Sequence, residues 1–216
     1  MIIVSKFTPL NFLYTLLFLL AVNPVLTAIG KEPTILVFGD SVSAAYGMDP
    51  EQGWVHLLSE QLKTGTQPSM PSYLVINASV SGETTGGGLV RLPKTLEIHQ
   101  PDILVLELGG NDGLRGYPID KIDSNLRAMT AMALTSGAKV LLIGMVLPPN
   151  YGRRYTEAFE SVFRQVAAEF DIQFLPFFLQ GVATPESLIQ GDGIHPRAEA
   201  QAMLLEDVWP YLEKLL

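Results

Sequence analysis

The chain has 216 residues, no cysteine, and 14 Lys and Arg residues against 22 Asp and Glu residues. This length fits one domain with a full hydrophobic core and is too short for two ordinary domains joined by a linker. The net charge of −8 argues against a nucleic-acid partner, and the absence of cysteine excludes disulfides, thiolate metal sites and a cysteine nucleophile.

The N-terminal 28 residues differ in composition from the rest of the chain. They contain no acidic residue and one basic residue, Lys6, which precedes an apolar run over residues 12–22. A short basic region followed by an apolar core of about a dozen residues is typical of a secretory signal peptide. The alternative is an uncleaved membrane anchor, but the run is shorter than the ~20 residues that span a bilayer. We therefore expect residues 1–28 to be a cleaved signal peptide and residues 29–216 to be a single exported domain, periplasmic or secreted, without a stable membrane anchor.

From residue 34 onward, short apolar runs alternate with longer stretches of helical periodicity. The apolar runs predict five strands, at residues 34–38, 73–77, 102–108, 140–143 and 172–175. Apolar residues at spacings of three and four predict helices at residues 53–62, 86–98, 119–133 and 154–170, and a last helix from Pro196. This alternation indicates an α/β fold, a three-layer α/β/α open parallel sheet of about five strands.

Small and polar residues are concentrated at the predicted strand ends, where open parallel sheets bind their ligands. Such segments follow the first, second and third strands, and another precedes the last helix: residues 39–43 (GDSVS), 78–82 (ASVSG), 109–113 (GGNDG) and 192–196 (DGIHP). Because the strands themselves are apolar, this distribution predicts a functional site at the carboxyl edge of the sheet.

Ser41 is the candidate nucleophile at this edge, and a serine hydroxyl needs a base to remove its proton. His56 falls on a predicted helix and His99 on a helix-to-strand connection, where a surface position is the simpler interpretation. Asp192 precedes His195 by three residues, so its carboxylate can reach one ring nitrogen while the other nitrogen faces a substrate. A helix-capping Asp beside a surface His is the alternative for this short pattern.

Gly82 and Asn111 are candidate donors of hydrogen bonds to an oxyanion. Gly82 follows the second strand and offers a backbone amide, and Asn111 follows the third strand and offers a side-chain amide. Taken separately, a turn glycine and an asparagine in a left-handed turn are the simpler interpretations. In combination with Ser41 and His195, they favour a hydrolytic site.

The strand-end segments together resemble the sequence blocks of the SGNH hydrolases, also called the GDSL lipase/esterase family. The matching positions are residues 39–41, Gly82, residues 110–112 and residues 192–196. The resemblance runs in order from residue 34 to the last helix. Val42 stands where the family name has leucine, which we expect to change packing but not chemistry. The Gly-x-Ser-x-Gly elbow of ordinary α/β-hydrolases is absent, since residue 43 is serine.

This resemblance implies a flavodoxin-like fold and a role for each residue of the site. Ser41 would be the nucleophile, His195 the general base and then acid, and Asp192 its orienting partner. The Ser41 and Gly82 backbone amides and the Asn111 side chain would form the oxyanion hole. The implied substrate is a small-molecule or lipid acyl ester or thioester, as in arylesterases, acyl-CoA thioesterases and lysophospholipases. With three scattered histidines and no cysteine, we expect no metal ion and no cofactor.

Four residues are candidate contacts for the acyl chain, because they are apolar and lie in loops next to the predicted site: Leu114, Tyr117, Leu147 and Pro148. Packing of these loops against the domain is an equally open interpretation. We expect short to medium acyl chains and a monomeric protein.

Two other functions are compatible with parts of the pattern. A carbohydrate O-deacetylase of the same family would have an open site poor in apolar loop residues, against which Leu114, Tyr117 and Leu147 argue mildly. A non-catalytic binding module on the same fold would have lost part of the site, whereas every predicted catalytic position is present.

Overall fold

Five parallel strands form one sheet in the order β2-β1-β3-β4-β5. The strands are β1 (Thr34–Gly39), β2 (Leu74–Asn77), β3 (Ile103–Glu107), β4 (Lys139–Ile143) and β5 (Gln173–Leu175). The structure is a computed structural model and describes residues 31–63, 71–183 and 186–216, without the side chain of Glu186. The predicted signal peptide, residues 1–28, lies outside these residues.

The neighbouring strands β1 and β3 are buried along their whole length, because helices cover both faces of the sheet. β2 lies at an edge, and its Leu74 is 47% exposed. An apolar run of this length does not distinguish an edge strand from a central one, so the position of β2 follows only from the topology.

Six α-helices of the described residues form the outer layers. They are α1 (Trp54–Lys63), α2 (Thr85–His99), α3 (Gly110–Leu114), α4 (Ile119–Thr135), α5 (Arg153–Phe170) and α6 (Gln201–Leu212). α4 packs between α2 and α5, whereas α1 packs on α6. The predicted three-layer α/β fold is therefore confirmed. Within the described residues, no helix is long and apolar enough to cross a membrane.

The last helix begins at Gln201, five residues later than its predicted start at Pro196. Pro196 instead forms an isolated antiparallel bridge with Ile189. Next to this bridge, the Gln190 backbone N–H donates to the His195 carbonyl oxygen at 2.8 Å. Because the chain returns on itself here, His195 lies in a closed loop ahead of the helix.

A short helix that the periodicity did not predict, α3, begins directly after β3 and Gly109. Gly109 has a φ of +121°, and a Cβ at this position would lie 2.9 Å from Cζ of Phe163. Only glycine fits this backbone conformation and close packing without strain. The sharp turn places Asn111 in the first turn of α3 at the carboxyl edge of the sheet.

Candidate active site

A chain of hydrogen bonds joins Ser41, His195 and Asp192. His195 Nε2 lies 2.8 Å from Ser41 Oγ, and His195 Nδ1 lies 2.6 Å from Asp192 Oδ2. Ser41 follows β1, whereas the other two residues lie in the closed loop ahead of α6. When Nδ1 carries the ring proton, Nε2 can accept the Ser41 proton while Asp192 holds the ring orientation.

The Asp192 carboxylate accepts three hydrogen bonds from two residues that follow it in its short loop, Ile194 and His195. Besides the His195 ring, the backbone N–H groups of Ile194 and His195 donate to Asp192 Oδ1 at 2.9 and 3.0 Å. These bonds, led by that of the His195 ring, lower the pKa of Asp192 to about 2. The group is therefore an anion at neutral pH, as an orienting partner of a protonated imidazole requires.

Tyr46 packs against the His195 ring, a contact that the sequence did not predict. The two ring centroids are 4.5 Å apart, and the ring planes are inclined by 40°. The Tyr46 carbonyl oxygen accepts a hydrogen bond from Gln190 Nε2 at 2.8 Å. The loop after β1 and the loop that carries His195 are thus held together beside the imidazole.

An apolar cavity of about 470 Å³ opens beside Ser41 and His195. Three of the four residues predicted as acyl-chain contacts line it: Leu114, Leu147 and Pro148. Tyr117 is not among its lining residues. The Tyr117 backbone carbonyl accepts the Tyr155 hydroxyl hydrogen at 2.7 Å, and its ring is exposed. Leu114, the last residue of α3, therefore reaches the cavity, whereas Tyr117, in the connection after α3, does not.

Several further apolar residues line the cavity without having been predicted, among them Met145, Phe177, Leu179 and Ile189. They come from segments that follow β4 and β5 or precede the His195 loop. These segments have ordinary apolar compositions in the sequence, so nothing local marks them as part of a site.

Asn111 lies on the cavity wall with its amide held from one side. Its Nδ2 donates to Asp40 Oδ2 at 3.0 Å. A primary amide has two N–H bonds, so one remains for a substrate oxygen. The cavity is therefore lined by the candidate nucleophile Ser41, the His195 imidazole and a side-chain amide.

Gly82 follows the edge strand β2 and has a φ of +79°. It is outside the cavity lining, and its carbonyl oxygen accepts from Arg115 Nη2 at 3.4 Å. In the described part of the chain, the backbone N–H groups of Ser41 and Gly82 donate no hydrogen bond. Both amides are thus available to a ligand oxygen, from two neighbouring strand ends.

Arg91 holds the loop that contains Gly82. Its Nη1 donates to the Ala78 carbonyl at 2.7 Å, and its Nε donates to Glu83 Oε2 at 2.9 Å. The guanidinium also lies 4.0 Å above the centroid of the Phe38 ring. A single cation on α2 thereby holds the loop near both of its ends.

Asp112 joins this loop to the helix that carries Asn111. The buried Asp112 carboxylate accepts the Thr85 backbone N–H at 2.8 Å and the Thr85 hydroxyl hydrogen at 2.6 Å. Thr85 is the first residue of α2, directly after the Gly82 loop. Asp112 therefore has a structural role, to connect the start of α2 to α3, which the sequence pattern did not predict.

Glu107 is a buried acid at the end of β3 that sequence reasoning missed. Its side chain is fully buried beneath the loop after β1 and accepts hydrogen bonds from that loop. The available signal was one acidic residue in a strand that is otherwise apolar, Ile103–Glu107. In the described residues, no three His, Asp or Glu side chains are grouped as a metal site.

Comparison with known proteins places the chain in a family. The chain is 50% identical over 192 residues to esterase TesA of Pseudomonas aeruginosa, which covers 89% of this chain and 94% of that protein. It is 40% identical over 183 residues to thioesterase 1/protease 1/lysophospholipase L1 of Escherichia coli (strain K12), with 85% of each chain covered.

A solved structure and a family profile agree with these similarities. The crystal structure of TesA superimposes with a TM-score of 0.80 at 51% identity, covering 85% of this chain and 99% of that chain. The profile of the GDSL-like lipase/acylhydrolase family matches residues 37–203. The chain is therefore a hydrolase that belongs to the GDSL-like lipase/acylhydrolase family.

Proposed function

We propose that this hydrolase is a serine esterase that acts on acyl esters and thioesters through Ser41, His195 and Asp192. The observation that supports it most directly is the hydrogen-bonded chain from Ser41 Oγ to Asp192, at the edge of an apolar cavity. Relatives named as an esterase and as a thioesterase and lysophospholipase support the same class of substrate.

In the first half of the reaction, Ser41 Oγ attacks the acyl carbonyl carbon while His195 Nε2 takes the hydroxyl proton. The Asp192 anion stabilises the imidazolium that results. The carbonyl oxygen becomes an oxyanion, to which the Ser41 and Gly82 backbone N–H groups and Asn111 Nδ2 donate. Donors that are in place before the charge develops lower the barrier, typically by a few kcal/mol each.

The first tetrahedral intermediate then collapses: the bond to the leaving alcohol or thiol breaks, and the imidazolium protonates that group. The product of this step is an acyl ester on Ser41 Oγ. His195 then takes a proton from water, which attacks the acyl carbon, and the collapse of the second intermediate returns the proton to Ser41. The acid is released and the free enzyme is restored.

The cavity favours an apolar acyl chain, with Leu114, Leu147 and Pro148 in contact with it. We expect kcat/KM for p-nitrophenyl esters to rise roughly fourfold with each added methylene, because its burial contributes about 0.8 kcal/mol. The rise should stop when the chain fills the cavity. The measurement is a series from acetyl to palmitoyl esters, with the matching thioesters as a second series. A maximum at acetyl would instead favour the deacetylase alternative.

We further infer that residues 1–28 are a cleaved signal peptide and that the domain of residues 29–216 acts outside the cytoplasm as a monomer. The basis is the charge and hydropathy pattern of the N-terminus. N-terminal sequencing of protein recovered from the extracytoplasmic fraction should begin near Ile29, and sedimentation should give the mass of one chain. An intact Met1 in that fraction would contradict the inference.

A further inference from the structure

Two buried acids, Asp40 and Glu107, lie next to each other beneath the candidate oxyanion hole. Asp40 is 3% exposed and Glu107 is fully buried. Among the described residues, neither forms an ion pair with Lys or Arg. Burial of two unpaired carboxylates side by side is unfavourable, so the pair needs another source of stabilisation.

The hydrogen bonds of the pair account for three of its four carboxyl oxygens. Glu107 Oε2 accepts from the Asp40 backbone N–H at 3.1 Å and from Ser43 Oγ at 2.7 Å. Asp40 Oδ1 accepts from the Val42 backbone N–H at 3.1 Å, and Asp40 Oδ2 accepts from Asn111 Nδ2. The fourth oxygen, Glu107 Oε1, is buried without a partner among the described residues.

A single proton on Glu107 would remove one of the two buried negative charges and give the pair a hydrogen-bond donor. Burial and the Asp40 charge raise the pKa of Glu107 well above its usual value. Burial also raises the pKa of Asp40 to about 6, although the Val42 and Asn111 donors oppose this rise. His195 is the other titratable group that acts on Asp40. These pKa shifts favour the neutral form of Glu107, and a neutral carboxyl group is able to donate a hydrogen bond to the Asp40 carboxylate.

The backbone at Gly39 leaves room for this pair. A Cβ at this position would collide with Glu107 Oε2 and with the Ser43 side chain. Gly39 is the last residue of β1, and Asp40 and Ser43 belong to the following loop, which also carries Ser41. The segment that carries Ser41 thus also supplies what surrounds Glu107. Gly39 leaves the space for its side chain, and Asp40 and Ser43 are its hydrogen-bond partners.

We propose that Glu107 is a positioning residue for the oxyanion hole: as a neutral acid it donates to Asp40, whose carboxylate orients the Asn111 amide. A carboxylate only accepts hydrogen bonds, so it selects the amide orientation that points an N–H, rather than the carbonyl oxygen, at Asp40. The second N–H of the same nitrogen is then fixed toward the cavity. This inference rests on the proposed role of Asn111.

The test is a double-mutant cycle on purified full-length protein. Glu107→Gln, Glu107→Ala and Asn111→Ala are made singly, and each Glu107 change is also made in the Asn111→Ala background. We expect Asn111→Ala to lower kcat roughly a hundredfold with KM little changed. Glu107→Ala should lower kcat roughly tenfold or more alone, but by less than about twofold once Asn111 is alanine. Equal factors in both backgrounds would overturn the proposal.

Glu107→Gln separates a neutral donor from a charged one. Its amide can donate to Asp40 and accept from Ser43, so kcat should stay within about threefold of the wild type. The infrared spectrum of the wild type at neutral pH should show the C=O stretch of a buried protonated carboxyl, and Glu107→Gln should lack it. A loss of kcat as large as that of Glu107→Ala, or a spectrum without this band, would refute the neutral acid.

Two further outcomes need separate treatment: a Glu107 variant that does not fold, and a failure of the proposals on which the inference on Glu107 rests. If Glu107→Ala does not fold, Asp40→Asn takes its place in the cycle, since it keeps the volume and removes the carboxylate. Its expected result is the same fall in kcat and the same lack of additivity with Asn111→Ala. If the wild type hydrolyses no ester, the proposed function fails. If Asn111→Ala leaves kcat unchanged, the role of Asn111 in the oxyanion hole fails, and the inference on Glu107 fails with it.

Discussion

Ser41→Ala is expected to lower kcat for p-nitrophenyl ester hydrolysis by roughly a millionfold, close to the background reaction. The change removes a single oxygen atom, to which His195 Nε2 is hydrogen-bonded at 2.8 Å, and leaves no other nucleophile at that position. The Ser41 side chain is almost buried, and alanine fits its space. The melting temperature should therefore change little.

Ser124→Ala is the matched control, because Ser124 is exposed on α4, outside the cavity lining. We expect wild-type kcat and KM from this variant. Wild-type activity in Ser41→Ala would contradict the assignment of the nucleophile, whatever the effect of the control. A loss of activity accompanied by a large fall in melting temperature would show instead that Ser41 supports the fold.

Asp192→Asn is expected to lower kcat by roughly ten thousandfold while the loop keeps its shape. An asparagine amide turned toward His195 donates to Nδ1, so the ring proton moves to Nε2. Nε2 then cannot accept the Ser41 proton, although the three side chains are still in contact. Because the fault lies in proton transfer, kcat should fall far more than KM rises.

Asp171→Asn is the control for this change. Asp171 ends α5 with a φ of +49°, a conformation that asparagine tolerates well. Its activity should match the wild type, and an equal loss of activity in both variants would contradict the role given to Asp192. Equal activity of Asp192→Asn and the wild type would do the same.

Unfolding at low pH gives a second check on Asp192. Its pKa in the folded protein is lowered from 3.8 to about 2. A lowered pKa means that the folded state releases the proton more readily than the unfolded state. The carboxylate therefore adds stability above pH 4, and this contribution disappears as the pH falls toward 2. The difference in unfolding free energy between the wild type and Asp192→Asn should shrink over the same range.

The elements that the sequence predicted correctly are those that local patterns determine. β1 and β3 are continuous apolar runs because both of their faces are covered, and α4 and α5 have apolar stripes because one face of each is buried. Even Pro93 does not end α2, which continues to His99. Burial against the sheet outweighs the helix propensity of one residue.

The start of α6 could not be predicted in the same way. Pro196 is a favoured first-turn residue, yet it pairs with Ile189, seven residues earlier. α3 was missed because five residues are too few to show a helical period. Both features depend on contacts between segments, and a local window does not contain them.

The residues of the candidate site divide in the same way, into those that local sequence patterns indicate and those that only contacts between segments reveal. Ser41, Asp192, His195 and Asn111 could be singled out as candidates because small and polar residues are concentrated after the apolar strands and before the last helix. Tyr46, which packs on the His195 ring, and Phe177, which lines the cavity, were not singled out, because an aromatic residue in a loop has many ordinary explanations. Glu107 was visible as an acid in an apolar strand, but only the fold shows that Asp40 lies against it.

The closed loop of Asp192 and His195 has a mechanical consequence. Asp192 and His195 are joined by two hydrogen bonds and Asp192 accepts a third from Ile194, so the loop holds the pair as one unit, whereas Ser41 belongs to a different segment. A displacement of the loop would therefore separate the nucleophile from the imidazole and leave the acid–imidazole pair intact. Such a displacement would break the 2.8 Å contact between Ser41 Oγ and His195 Nε2, together with the Tyr46 contacts that hold the same two loops together.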